Sequence, residues 1–261
     1  MNPDIMYILL IISILLIYLI SSFSFMNGKP TCNHFVINNY LYLALSICLL
    51  GITIKFFHKH VLNGETRYSV LLKKIAPWFL PIFIISLALI FFISTRPTFD
   101  TKASNVLTNH ILWVAFIFMM SLILTPRVVS KETNQYVNEA IMLTACIFIT
   151  MSIAVYLFPT FFSETFSFMY PALLVALVAI IIFEIVNMFA YSSEASFTQM
   201  RRMISYVVII VFSLYISYDT SKMVQLSKLC VKYPNYPKTS VMFFLDIINI
   251  FSRILFLKSS R

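Results

Sequence analysis

VFSLYISYDTSKM at residues 211–223 and SVMFFLDIINIFSRILFL at residues 240–257 decide how the chain is read. Each is an apolar run of helix length, and each carries an acid. Asp219 lies near the end of the first run, and six apolar or small residues precede Asp246 in the second. On a water-soluble helix such acids mark the outer face. In a membrane helix each costs roughly 2.5–3.5 kcal/mol on insertion scales, and its presence marks a working site. The rest of the chain settles which solvent applies.

Of 261 residues, 60% are hydrophobic and only 11% charged, and the mean hydropathy is +0.90. Soluble domains carry about 25% charged residues. No soluble fold of this length could hide so much apolar side chain, so the solvent is a lipid bilayer. Eight runs approach the roughly 20 residues that a membrane crossing needs. They are residues 5–25, 35–57, 75–94, 106–125, 138–158, 168–190, 203–219 and 240–257. Asn27-Gly28-Lys29-Pro30 ends the first, Pro126-Arg127 the fourth and Pro159 the fifth. The eighth is short and interrupted by Asp246, Asn249 and Arg253, which predicts a partial crossing. Trp78 reads as an interfacial anchor of the third. No basic region precedes the first run and no small-residue cleavage site follows it, so it reads as a retained span.

The runs are too long and too continuously apolar for barrel strands, and no connector is long enough to bury a separate core. The pattern predicts an all-α, polytopic helical membrane bundle. Residues 1–30 form an extra N-terminal transmembrane segment and residues 31–261 the main bundle. With three glycines and 26 phenylalanines, glycine-mediated helix contact is not its main device.

The net charge of +9 comes from 19 basic and 10 acidic residues. The bases sit between apolar runs, where they set membrane orientation and meet anionic headgroups. No basic-aromatic surface suggests nucleic acid as a partner. With eight crossings, Lys55, Lys59, Arg67, Lys73, Lys74, Arg127, Lys131, Arg201, Arg202, Lys258 and Arg261 share one side. Lys29, Arg96, Lys102, Lys222, Lys228, Lys232 and Lys238 share the other. That asymmetry places both termini on the cytoplasmic or matrix side.

Cys48 and Cys146 lie inside apolar runs and read as small buried hydrophobes. Cys32 and Cys230 lie in connectors, where a bridge between them is open but unsupported by spacing. His58 and His60 form an HxH in a basic connector with no further metal ligand beside them. His110, alone in the fourth run, reads as a satisfied interior residue. Nucleophile elbows, zinc-protease motifs and glycine-rich phosphate loops are all missing, as is the glycine-rich setting of intramembrane aspartyl proteases. The chain is therefore expected not to be an enzyme and to need no cofactor.

Helical spacing puts Phe212, Tyr215, Ile216 and Asp219 on one face, and Asp246, Asn249 and Arg253 on another. Asp219 alone also reads as an interfacial acid that reaches water. Asp246 is harder to dismiss, its structural alternative being an acid neutralised by Arg253 two turns on. Glu184 lies well inside the sixth run, with Asn187 a turn further. Glu139 opens the fifth, where a helix N-terminus favours an acid.

Tyr218-Asp219, followed by Leu245-Asp246-Ile247-Ile248-Asn249-Ile250-Phe251, resembles the signature of the transmembrane Bax inhibitor motif family, which includes Bax inhibitor-1 and the lifeguard proteins. YVNEAIMLTACIF at residues 136–148, SFMYPALLVALVAIIIFEIVNMF at residues 167–189 and FMMSLILTPRVVS at residues 118–130 extend the resemblance upstream. Ser121 stands where the family usually has glycine, and Glu184 where it usually has a small residue. The resemblance implies a seven-helix core around an acidic pair, here Asp219 and Asp246. It implies that the pair shares a proton and gates a calcium leak, with a latch arginine for which Arg96 is the candidate. The family's orientation would place the basic connector at residues 58–74 on the non-cytoplasmic side, in conflict with the charge asymmetry.

The residues themselves supply the physics. Two carboxylates held together in an apolar medium cannot both ionise cheaply. Protonated, they hydrogen-bond and clamp their helices; deprotonated, they repel or take a hard cation such as Ca²⁺. The expectation is a pH-sensitive calcium leak or cation/proton exchanger that modulates ion homeostasis and cell death. Glu184, Asn249, Arg253 and Arg96 are candidate modifiers. The setting is an intracellular membrane, of the endoplasmic reticulum or Golgi or the mitochondrial inner membrane. The alternative is a non-conducting membrane subunit or scaffold, partnered by other membrane proteins in an organellar or viral assembly.

Overall fold

The computed structural model describes residues 3–100, 105–190, 194–231 and 233–260. Lys102, Lys232 and Arg261 of the charge pattern, and the side chain of Asn187, lie outside the described residues. The elements run α1 (Pro3–Ser24), β1 (Phe25–Met26), β2 (Lys29–Pro30), α2 (Phe35–His60), α3 (Tyr68–Thr95), β3 (Phe99–Asp100), α4 (Asn105–Val129) and α5 (Lys131–Asn134). After these come α6 (Val137–Leu157), α7 (Pro159–Ala190), α8 (Glu194–Leu229), β4 (Tyr233–Pro234) and α9 (Tyr236–Ser259). The chain is an all-α polytopic membrane protein. Among the described residues, α1, α2, α3, α4, α6, α8 and α9 each hold a stretch long and apolar enough to cross a bilayer.

Five details differ from the sequence expectation. The eighth run is no partial crossing: α9 extends it upstream to 24 residues. Helix α4 passes through Pro126 and ends at Val129. The sixth run is absorbed into the 32-residue α7, whose apolar stretch among the described residues is Pro171–Glu184. Asp219 does not end its helix, because α8 continues to Leu229. Two-residue strands pair in the connectors, β1 with β2 and β3 with β4, both antiparallel.

Serine and threonine are common in these helices because each can hide its hydroxyl on its own backbone. Ser46 donates to Tyr42 O at 2.8 Å, Ser86 to Ile82 O at 2.8 Å and Ser121 to Ile117 O at 2.7 Å. Helix α3 turns almost all of its apolar side chains outward, Trp78, Leu80 and Phe91 among them. That is the surface lipid demands and water would not tolerate.

The chain divides into two compact units, Met1–Asn134 with Leu226–Phe244, and Gln135–Gln225 with Leu245–Arg261. In the first, α1 lies against α2, and both α2 and α3 lie against α4. Gly51 lets α1 come close: a Cβ there would stand 3.1 Å from Leu9 Cδ1. Asn27 (φ 51°) and Gly28 (φ 72°) form the two-residue turn of the β1–β2 hairpin. Both need the left-handed region, as a type I′ turn does. Three connectors of this unit are tied together. Cys32 and Cys230 are disulfide-bonded with Cα atoms 5.8 Å apart. Asn235 N–H donates to Thr98 O at 2.9 Å, extending the β3–β4 pairing. Lys238 Nζ donates to Ser94 O at 2.9 Å and to Arg96 O. Asn235 also caps α9, its Oδ1 accepting from Lys238 N–H at 3.2 Å. Tyr236 stacks on Tyr42 with ring centroids 5.5 Å apart, accepts from Asn38 Nδ2 at 3.0 Å and donates to Thr31 O at 2.5 Å.

The second unit holds α6, α7, most of α8 and the end of α9. Glu139, in the first turn of α6, is paired with Lys258 Nζ at 2.8 Å. The Arg201 guanidinium sits 4.4 Å from the centroid of the Phe256 ring. Cys48 is buried as expected, but Cys146 is exposed on α6, because its neighbours Ile141, Met142 and Ile149 also turn outward.

Candidate functional site

Both aspartates belong to the second unit. Asp246 is buried, with 5% exposure, in the apolar middle of α9. Its Oδ2 is enclosed and has no hydrogen-bond partner. An orphan oxygen of that kind carries its full desolvation cost unless a proton, a water or a cation answers it. The charge of the Asp219 carboxyl acts on Asp246, and that of Lys222 acts on Asp219. Lys222, one turn along α8, holds its ammonium 5.7 Å from the centroid of the Tyr218 ring. The structure thus brings the two acids within electrostatic reach. On the same stretch of α8, Thr220 Oγ1 stands 3.4 Å from Ser152 Oγ of α6, and the buried Ser217 hydroxyl has no hydrogen-bond partner.

The candidate modifiers separate. Arg253 does not neutralise Asp246; it forms its ion pair with Glu184 of α7. Reach is the reason: an arginine side chain is long enough to leave its own helix, and two turns along α9 is no advantage over a neighbouring carboxylate. Asn249 donates Nδ2 to Leu245 O at 2.9 Å, closing on its own helix. Arg96 belongs to the first unit, as the C-cap of α3. Among the described residues, no cluster of three or more His, Cys, Asp or Glu could hold a metal ion. Ca²⁺ takes six to eight oxygens.

His110 and His58 are both hydrogen-bonded. His110 shares hydrogen bonds of 2.7 Å with Tyr42 Oη and with Val106 O. His58 meets Glu65 O at 3.0 Å. In the α2–α3 connector, the backbone N–H of Arg67, then its side chain, hold the Glu65 carboxyl down to about 2. Glu132 is lowered first by the Ser130 hydroxyl, 2.6 Å away.

A family model described as inhibitor of apoptosis-promoting Bax1 matches residues 32–260. The chain belongs to the Bax inhibitor-1/lifeguard family. No curated protein matches it significantly. In this Bax inhibitor-1 family member the match begins after the β1–β2 hairpin, so α1 precedes it. Asp219 and Asp246 both lie within the matched residues.

Three features of the structure escaped the sequence reading. Lys222 and Ser217 flank Asp219 at i+3 and i−2, but a lysine and a serine near a helix end carry no signal of their own. Asp100, which the sequence reading did not single out, is buried and accepts from Asn105 Nδ2 at 2.8 Å and Asn109 Nδ2 at 2.9 Å. The spacing of Asn105 and Asn109, one helical turn apart on one face, could have signalled it.

Proposed function

We propose that this protein is a proton-responsive cation leak, with Ca²⁺ as cargo, in which Asp219 and Asp246 form the gate. Its physiological output is the modulation of ion homeostasis and cell death from an intracellular membrane. The observation that carries the reading is the enclosed, unpartnered oxygen of Asp246 within electrostatic reach of Asp219. With a proton between them, the two carboxyls hydrogen-bond and hold α8 to α9. With both protons gone, two like charges stand in an apolar interior, and the helices part or a cation enters. Membership of the Bax inhibitor-1 family supports the same reading.

The test is Ca²⁺ flux from proteoliposomes across a pH series around neutrality, for the wild type, Asp219→Asn and Asp246→Asn. The wild type should change flux by up to about tenfold per pH unit for one titrating proton. Each amide variant should flatten that response. Flux that ignores pH and both substitutions would overturn the gate. Absence of flux in folded protein would instead favour a non-conducting membrane subunit.

A further inference from the structure

The structure assigns this protein a sidedness. We infer that the end carrying Cys32 and Cys230 faces an oxidising compartment, that α7 crosses the bilayer, and that both termini lie on the reducing side.

The first step is covalent. A disulfide joins two points only if both stand on one side of the membrane, and Cys32 and Cys230 are bonded. Their connectors do not meet there alone. The connector holding β3 pairs with β4, and Lys238 reaches back to Ser94 O and Arg96 O. The α1–α2, α3–α4 and α8–α9 connectors therefore share a side.

The second step is parity. Between Cys32 and Cys230 the chain passes along α2, α3, α4, α6, α7 and α8. An even number of crossings returns it to the side it left. Five of these helices have the length and hydropathy of a span, and α7 is represented among the described residues only by the shorter stretch Pro171–Glu184. Five crossings would put the two cysteines on opposite faces. The bond thus requires α7 to cross, making six between the cysteines and eight in all with α1 and α9.

The third step is chemical. Stable disulfides belong to oxidising spaces, because thiol buffers keep cytosolic cysteines reduced. Forming this one removes two electrons and two protons from the thiols. A disulfide-bearing donor protein on that side accepts them by thiol–disulfide exchange and leaves as a dithiol.

The fourth step adds the distribution of charge. The α2–α3 connector and the α4–α5 junction hold exposed Lys59, Arg67, Lys73, Lys74, Arg127 and Lys131. The backbone joins them, Lys131 N–H donating to Thr66 O at 2.9 Å. Parity places these cations opposite the disulfide, which is where the positive-inside rule requires them.

Two measurements test this in intact microsomes. The first counts thiols with a maleimide–polyethylene glycol that does not cross membranes. After denaturation in detergent, two cysteines should react without reductant and four with it. Four reacting without reductant would overturn the bond and the sidedness drawn from it. The second uses the absence of any Asn-X-Ser/Thr acceptor in the chain. Flexible glycan-acceptor insertions, one per variant, are placed in each connector of otherwise unchanged protein. Those between α1 and α2 and between α6 and α7 should be glycosylated. Those after Gly64 and between α7 and α8 should not. A glycan after Gly64 would reverse the orientation, and equal glycosylation on both flanks of α7 would overturn its crossing.

Discussion

At the scale of single residues, polar groups in this protein act according to what answers them. The Glu65 carboxylate is answered by the backbone and side chain of Arg67, and its titration midpoint should be near 2 when followed by side-chain NMR. The folded-state value is depressed. The turn therefore has its full support above the ordinary carboxylate range and loses it as pH falls through about 2. Hydrogen exchange at the Thr66 and Arg67 amides should rise across that window, and at neutral pH in Glu65→Ala. The Glu184–Arg253 pair is a second case. A double-mutant cycle with Glu184→Gln and Arg253→Gln should return a coupling of about 1 kcal/mol, since interhelical polar contacts in membranes average below that and rarely exceed 2. A coupling near zero, with Arg253→Gln altering the pH response of flux instead, would return the arginine to Asp246. The Glu184 partner of Arg253 was not legible from spacing, because helical periodicity reports neighbours on the same helix and is silent about the next one.

Among elements, the α1–α2 contact turns on Gly51. Gly51→Ala should be close to neutral. Its Cβ meets only the flexible end of Leu9, and alanine gains up to about 1 kcal/mol of helix propensity over glycine. Gly51→Phe should force the helices apart and expose the β1–β2 hairpin to protease. The elements were the most legible part of the fold. Long apolar runs determine where helices are, since a bilayer offers no other partner to a bare backbone. Their ends were less so. Pro126 reads as a stop, but α4 continues to Val129, because a proline inside a membrane helix is tolerated where neighbours answer the freed carbonyl. The acids at 219 and 246 were legible as a pair through their motif. The nearby Lys222 was not, because a lysine near a helix end carries no signal of which neighbour it answers.

For the whole molecule, the bond between Cys32 and Cys230 closes a loop spanning 198 positions of sequence. The chain-entropy estimate for so long a loop is about 5 kcal/mol, and measured losses of native bridges run about 2–5 kcal/mol. Helices already confined to a membrane or micelle have less freedom to lose, so the lower half of that range is expected here. Reduction should therefore lower the midpoint of thermal unfolding in detergent, and a Cys32→Ser, Cys230→Ser variant should start low and ignore reductant. An unchanged midpoint would mean that the strand pairing and the Lys238 contacts hold these connectors unaided.

Helix α8 has 36 residues, a rod about 54 Å long against a hydrocarbon layer of about 30 Å. Charges at Arg201, Arg202 and Lys222 bracket the part that fits, residues 203–221, about 28 Å. Asp219 therefore stands at the rim of that layer rather than at its centre, and the rim is a property of the lipid. Thickening the bilayer by about 3 Å, within the differences between cellular membranes, submerges two more residues of helix. The acid pair would then answer to membrane thickness as well as to protons. Liposomes differing only in acyl-chain length should shift the pH at which flux changes, so that one chain behaves differently in thin and thick membranes.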